Sequence, residues 1–207
     1  MKLAIILFLA ASASAHRLDE YLQATIISVE KDRVQAEMRL VPGIAISSFV
    51  LNGIDTNRDG VISPEEQQSY AERVLQDLSL SMDGYILKPQ LTSAQFPGVE
   101  EMREGLGEIH IGFSADLPRG GPNRRLIFEN RHHRAIAAYL VNCLVPRDRD
   151  ISVVAQNRNQ LQSFYQLDYL QAGVSLNGWL GIIALFLIAR FAVLWRQARP
   201  VRPTLPF

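Results

Sequence analysis

The sequence predicts a mainly β protein: an antiparallel β-sandwich or barrel-like domain with one helical insert, followed by a single transmembrane helix. Residues 33–40 alternate strictly between apolar and polar side chains, which is the period of a half-buried strand. Further short β-rich runs follow, separated by Asp-Gly, Pro-Gly and Pro-rich turn signals. One apolar run, residues 174–195, is long enough to cross a bilayer.

Composition limits the function classes. A chain of 207 residues allows one domain of ordinary size with a sizeable core. Its 21 Lys and Arg balance its 21 Asp and Glu, so no global field attracts nucleic acid, and we expect no nucleic-acid partner. The G-x-S-x-G, H-E-x-x-H and P-loop signatures are absent from the sequence. We therefore expect a protein that is not an enzyme, with no catalytic residues.

Residues 1–15 have the pattern of a secretory signal peptide. Lys2 precedes an apolar stretch, and Ala13 and Ala15 occupy the −3 and −1 positions of a cleavage site. The alternatives are a buried N-terminal helix and an uncleaved anchor, but the apolar stretch is short for a membrane span. We expect cleavage after Ala15, so that the mature chain begins at His16.

The run 174–195 is predicted to be the transmembrane helix, with a buried core helix as the alternative. Trp179 and Trp195 lie at its two edges, where aromatic residues favour the membrane interface. Residues 159–189 contain no Lys or Arg, whereas the tail 196–207 contains Arg196, Arg199 and Arg202. The positive-inside rule then places this tail in the cytoplasm and residues 16–170 outside. The predicted location is the cell membrane, single-pass, with a periplasmic or cell-surface domain.

The exported region, residues 16–170, is predicted to be one β domain. Tyr21–Val29 and the alternating run after it form a hairpin over 21–41, which Pro42 and Gly43 end. The remaining strand candidates are 85–91, 107–115, 124–130, 135–145, 151–156 and 163–170.

A helical insert at about 47–78 interrupts the β pattern. Ser63, Pro64 and Glu66 are a helix start, with Ser as the N-cap, Pro in the first position and Glu in the third. Apolar residues then recur at helical spacing to about Leu78. A shorter helix is expected ahead of it, at roughly 47–54.

Between these helices, residues 55–66 read DTNRDGVISPEE. The segment resembles the twelve-residue calcium loop of the EF-hand family, in which alternate residues of a tightly curled loop direct oxygens inward. The resemblance implies Ca²⁺ as the cofactor. The implied ligands are Asp55, Asn57, Asp59, the Val61 carbonyl, Ser63 (directly or through water) and a bidentate Glu66, with Gly60 at the bend.

A turn followed by a capping box is the alternative interpretation of this loop. It explains Gly60, Ser63 and Glu66 without a metal, but not the three oxygen-bearing side chains that precede them. The loop also departs from the family pattern, because its incoming helix is short and no second loop is present to pair with Ile62. We therefore expect modest affinity and a structural clip instead of a signalling switch.

The whole exported region begins HRLDEY at residues 16–21 and leads into a hairpin and this loop. It resembles the extracytoplasmic N-terminal region of membrane proteins related to hydrogenase/urease accessory nickel permeases. The resemblance covers about residues 16–170. This chain has one span where those proteins have a multi-helix permease part, so transport is not implied.

A second metal site is a weaker candidate. As the first mature residue, His16 offers an α-amine and an imidazole, a chelate that Cu(II) or Ni(II) favours, and His132 and His133 could add nitrogens. The alternative is that His16 is frayed and that the other two cap a strand among basic residues.

Two function hypotheses follow. The first is a membrane-anchored extracytoplasmic calcium-binding domain with a structural or partner-binding role, its partner a membrane protein or metalloprotein. The second is an accessory protein that captures or delivers a transition metal (Ni, Cu or Co) through His16.

Overall fold

A computed structural model describes residues 19–172 of the chain. The predicted signal peptide, the mature start at His16, the span 174–195 and the tail 196–207 lie outside these residues. Between residues 19 and 172, no helix is both long and apolar enough to cross a membrane.

The described region contains ten strands and three helices. In chain order they are β1 Tyr21–Val29, β2 Arg33–Pro42, α1 Ser47–Ile54, α2 Pro64–Gln76, β3 Leu78–Met82, β4 Tyr85–Leu87, β5 Gln90–Gln95, α3 Val99–Arg103, β6 Ile109–Asp116, β7 Asn123–Asn130, β8 Ala137–Cys143, β9 Ile151–Arg158 and β10 Phe164–Gln171. The predicted mainly β class is confirmed.

The strands form two five-stranded sheets. The order in the first sheet is β5-β6-β2-β1-β8, and the order in the second is β4-β3-β7-β10-β9. Buried side chains from both sheets and from the helices form one hydrophobic cluster, in which the rings of Phe113 and Phe128 stack 6.5 Å apart. Two sheets rich in antiparallel pairs around a shared core are consistent with a β-sandwich.

The hairpin and the main helix agree with the sequence-based predictions. Strands β1 and β2 pair antiparallel from Tyr21 opposite Pro42 to Val29 opposite Val34. Inward and outward side chains alternate along β2, as its period of two requires. Helix α1 has the predicted bounds, and α2 begins directly after Ser63 as predicted.

One strand pair departs from the antiparallel prediction. Strand β8 lies parallel to β1, with Tyr21 opposite Ala137 and Ile27 opposite Cys143. The chain leaves β7 in the second sheet, turns through residues 131–136 and enters the first sheet at the end where β1 starts. The Tyr21 amide donates to the Ile136 carbonyl (2.7 Å) at that point.

The segment after α2 also differs from its prediction. The helix ends at Gln76, and Leu78 begins β3 in place of ending the helix. The predicted strand 85–91 is divided between β4 and β5, which belong to different sheets. Pro89 lies between them and lacks the amide that a continuous strand would use. Helix α3 was not predicted, because one turn and a half is too short for a helical period.

Candidate metal centre

The loop 55–66 follows helix α1 and includes the first three residues of helix α2, and the two helices contact each other. Helix α1 ends at Ile54, and α2 starts at Pro64 with Ser63 as its N-cap. The predicted capping box is present: Ser63 Oγ accepts from the Glu66 amide (3.3 Å), and Glu66 Oε2 accepts from the Ser63 amide (3.1 Å). Arg73 on α2 donates to the carbonyl of Gly53 on α1, which ties the two helices together.

The backbone of the loop makes a tight bend. Gly60 has φ +81°, a conformation that glycine adopts without the steric cost of a side chain. Arg58 also lies in the left-handed region, with φ +61°. The bend brings the Gly60 amide to Asp55 Oδ2, to which it donates at 3.0 Å. Asp55, the first predicted ligand, is therefore hydrogen-bonded to the glycine at the bend.

Glu66 closes the other side of the loop. Its Oε1 accepts from the Thr56 amide (2.7 Å), the Thr56 hydroxyl (2.9 Å) and the Asn57 amide (3.4 Å). The bond from the Ser63 amide, and after it these bonds from Thr56 and Asn57, favour the ionised carboxylate and lower the pKa of Glu66 to about 2. Glu66 thus connects the start of α2 to the start of the loop.

Asn57 and Asp59 lie on the exposed side of the loop and bond mainly to each other. Asn57 Nδ2 donates to Asp59 Oδ2 (2.9 Å), and the Asp59 amide donates to Asn57 Oδ1 (3.0 Å). Asp59 Oδ1 accepts from the Val61 amide at 2.8 Å. These bonds stabilise the turn, so Asn57 and Asp59 have a structural role that does not require a metal.

Asp55 has one oxygen that the loop does not satisfy. The residue is only 6% exposed, and its Oδ1 is buried without a hydrogen-bond partner among the described residues. An unpaired buried carboxylate oxygen is unfavourable in a folded protein, because the desolvation of the charge is not compensated. This atom is the feature of the loop that a turn and a cap leave unexplained.

The predicted ligands are not gathered around one point. Asp55 and Glu66 are buried on the inner side, whereas Asn57 and Asp59 are exposed. Within residues 19–172, no three His, Cys, Asp or Glu side chains are grouped closely enough to hold a metal ion. A cation would therefore require the Asn57 and Asp59 side chains to turn inward.

Ile62 packs against the hydrophobic core of its own domain. In the family that the loop resembles, this position pairs two loops. Here its side chain is half-buried by the core, and the neighbouring Val61 is exposed instead. The core therefore supplies the apolar support that a second loop would give.

A second polar centre lies at the other end of α2, around His132, and the sequence did not predict it. We call it the His132 cluster; it consists of Tyr21, Gln23, Tyr70, Asp77, Asn130, His132 and Tyr139. His132 is only 4% exposed, and both of its ring nitrogens are bonded. Nδ1 lies 2.7 Å from Asp77 Oδ2, and Nε2 lies 3.1 Å from the Tyr70 hydroxyl.

The bonding pattern assigns the protons in this cluster. An ionised Asp77 only accepts, so His132 Nδ1 carries a proton and donates it. Nε2 of the neutral ring then accepts from the Tyr70 hydroxyl, whose oxygen accepts from Tyr21 (2.9 Å). Burial lowers the pKa of His132, which agrees with a neutral ring, and raises the pKa of Tyr70 to about 12.

Backbone groups complete the cluster. The His132 amide donates to Asn130 Oδ1 (2.9 Å), and the His132 carbonyl accepts from Gln23 Nε2 (3.0 Å) and from the Tyr139 hydroxyl (2.9 Å). Asn130 Nδ2 donates to Gln23 Oε1 at 2.9 Å. The cluster therefore joins both sheets and α2, and its hydrogen-bonded side chains, all buried except that of Asp77, favour a structural role.

His133 differs from its neighbour. Its ring is half-buried, packs 4.2 Å from the ring of His132, and contacts the rings of Tyr21 and Phe49. Its ring nitrogens make no hydrogen bond within residues 19–172. Of the three histidines proposed as metal ligands, His133 has accessible nitrogens, His132 would have to give up a bond, and His16 lies outside the described residues.

Comparison of the sequence with protein-family models and with curated proteins, and of the fold with solved structures, gave no match.

Proposed function

We propose that this protein is an extracytoplasmic calcium-binding module in which the loop 55–66 acts as a structural clip. The observation that carries the proposal is Asp55 Oδ1, a buried carboxylate oxygen without a partner in the described region. A cation beside this atom would compensate its charge. Calcium suits the loop because its donors are all oxygens, and Ca²⁺ takes six to eight of them in flexible geometry.

The clip would act on the start of α2. Asp55, Asp59 and Glu66 bring three formal negative charges into one short loop. Neutralising them fixes the turn ahead of Pro64 and, through the Arg73 bond to Gly53, the angle between α1 and α2. A ligand that binds only the folded form stabilises it by about 2.7 kcal/mol at a hundredfold excess over Kd.

Thermal unfolding of the full-length chain in detergent tests the proposal. Millimolar Ca²⁺ should raise the melting temperature over that in chelator by about 5–10 °C at saturation. Mg²⁺ should do much less, because it demands tight octahedral geometry. Glu66→Gln should remove most of the calcium effect, whereas its neighbour Glu65→Gln, which is exposed in the same helical turn, should keep it. Identical melting curves in calcium and chelator would reduce the loop to a turn and a cap.

We also propose that the module is an exported β-sandwich, anchored in the membrane by a single transmembrane helix at residues 174–195. It is supported by the leader-like residues 1–15 and by the arginines that follow the apolar run. A reporter that works only in the cytoplasm, fused after Phe207, should be active. An active periplasmic reporter at the same position would overturn the orientation.

A transition-metal accessory role is the second candidate, and one observation favours it. Tyr21, the first residue of β1, packs against the rings of His132 and His133. Four residues lie between His16 and Tyr21, so the five residue steps from one to the other span at most about 18 Å. The amine and imidazole of His16 can therefore reach His133. A metal bound by His16 would take its imidazole ligand in the β domain from His133, because both ring nitrogens of His132 are already hydrogen-bonded.

Titration of the mature chain with Cu²⁺ or Ni²⁺ tests this candidate. A one-residue extension ahead of His16 should abolish binding, and His133→Ala should weaken it. His110→Ala provides the control, because His110 is an exposed histidine on β6. Undiminished affinity in the extended chain rules out a role for His16.

A further inference from the structure

Thr56 makes the closest contacts to the carboxylate that the proposed calcium site needs. Glu66 Oε1 lies 2.7 Å from the Thr56 amide and 2.9 Å from the Thr56 hydroxyl, while the Asn57 amide is more distant at 3.4 Å. A carboxylate oxygen offers about two lone-pair positions. The two bonds from Thr56 therefore occupy the acceptor capacity of Oε1.

A bidentate Glu66 would need this same oxygen, so the inference rests on the proposed calcium function. Calcium approaches its oxygens to about 2.3–2.6 Å, which leaves no space for two donors on Oε1 as well. The amide is fixed by the backbone, whereas the hydroxyl can rotate about χ1. Thr56 is exposed, so a displaced hydroxyl can turn to water, but its bond to the charged oxygen is then lost.

We infer that Thr56 is an affinity-determining residue: its hydroxyl competes with the cation for Glu66 Oε1. The same bond links the beginning of the loop to the first turn of α2, which stabilises the closed loop without an ion. Thr56 thereby raises the calcium concentration at which the loop is filled. A residue that merely supported the fold would give the opposite result on removal, since loosening the loop would weaken binding.

Calorimetric Ca²⁺ titration of the full-length chain in detergent tests the inference. Thr56→Val keeps the branched shape and the amide but removes the hydroxyl. A hydrogen bond to a charged group is strong enough that Kd for Ca²⁺ should fall about tenfold. The melting temperature in chelator should fall at the same time. Thr56→Ser retains a hydroxyl and should behave as the parent chain does.

Thr92→Val is the matched control, because Thr92 is an exposed threonine on β5 that makes no hydrogen bond to Glu66. It should leave the calcium Kd unchanged. If the parent chain binds Ca²⁺ and Thr56→Val binds equally or more weakly, the competition is refuted while the calcium function stands. If neither chain binds Ca²⁺, the proposed function fails and the inference fails with it.

Discussion

The two ends of α2 hold polar centres of opposite kinds. At its start, the loop 55–66 is built from residues that are neighbours in sequence, and one buried oxygen, Asp55 Oδ1, is left without a partner in the described region. At its other end, the His132 cluster assembles residues from distant parts of the chain, and both ring nitrogens of His132 are bonded. An unsatisfied buried charge suggests a ligand, whereas a satisfied network suggests a structural role.

The largest effect should come from breaking the His132 cluster. Asn130→Ala removes the acceptor of the His132 amide and the donor to Gln23, and it leaves both groups buried. Each unsatisfied group costs about 1–3 kcal/mol, so we expect a loss of about 3 kcal/mol in unfolding free energy. Denaturant titration measures it.

Asn52→Ala, an exposed site on α1, is the control for this substitution and should stay within about 0.5 kcal/mol of the parent chain. Equal effects of the two substitutions would contradict the structural role of the cluster.

In the loop 55–66, Asp55→Asn should remove the stabilisation by calcium while changing the stability in chelator only slightly. It removes the charge on the unpartnered oxygen, so stability in chelator should change by less than about 1 kcal/mol. The calcium stabilisation, about 2.7 kcal/mol at a hundredfold excess over Kd, should be lost. Paired melting curves with calcium and with chelator measure both. A large loss in chelator, with the calcium effect retained, would show that Asp55 serves only the turn.

Acid should destabilise the two centres in different pH ranges. Burial lowers the pKa of His132 below its ordinary 6.5, so the unfolded chain takes up the proton first and stability falls as pH drops from about 6.5. The Glu66 pKa is lowered from 4.5 to about 2, so its contribution is full above 4.5 and is lost between about 4.5 and 2.

Unfolding free energies measured against pH in chelator should separate these two ranges. His132→Gln should reduce the slope in the upper range, where His133, whose pKa is also lowered by burial, adds to the effect. Glu66→Gln should reduce the slope in the lower range. A parent chain whose stability is constant between pH 7 and 5 would show that His132 does not titrate as described.

The smallest effects concern two strained backbone positions. Arg58 in the loop and His133 beside the cluster both have positive φ, at 61° and 49°. Among the described residues, the Arg58 side chain makes no hydrogen bond. Arg58→Gly therefore relieves the backbone cost without losing one, and should stabilise by about 0.5 kcal/mol.

His133→Gly relieves the same backbone cost but loses the ring contacts to Tyr21 and Phe49. It should therefore bring no gain in thermal stability. A similar increase for both variants would mean that the His133 ring contributes nothing.

Local patterns made the loop predictable. Gly60, Ser63 and Glu66 act on neighbours within a few residues, so their spacing fixed the bend and the helix start. The spacing did not reveal that Asn57 and Asp59 would bond to each other on the exposed side, because side-chain orientation depends on what surrounds the loop.

The His132 cluster was not predictable, because it depends on contacts between distant segments. Tyr70 is one of the apolar residues that recur at helical spacing along α2, but nothing in the sequence indicates that His132 lies opposite it. On β1, polar Gln23 points inward while Ile26 is exposed, so hydrophobicity alone would assign the faces wrongly. A shorter-range signal, Pro89, could have divided the predicted strand 85–91.

The parallel pairing of β1 with β8 has a consequence for the order of folding. The β1–β2 hairpin can close as soon as its residues are available, because its partners are adjacent in sequence. The other edge of β1 stays unpaired until Ala137–Cys143, much later in the chain, has been synthesised. Since such long-range closure slows folding, the unpaired edge of β1 persists longest and is the surface on which early association between chains would begin.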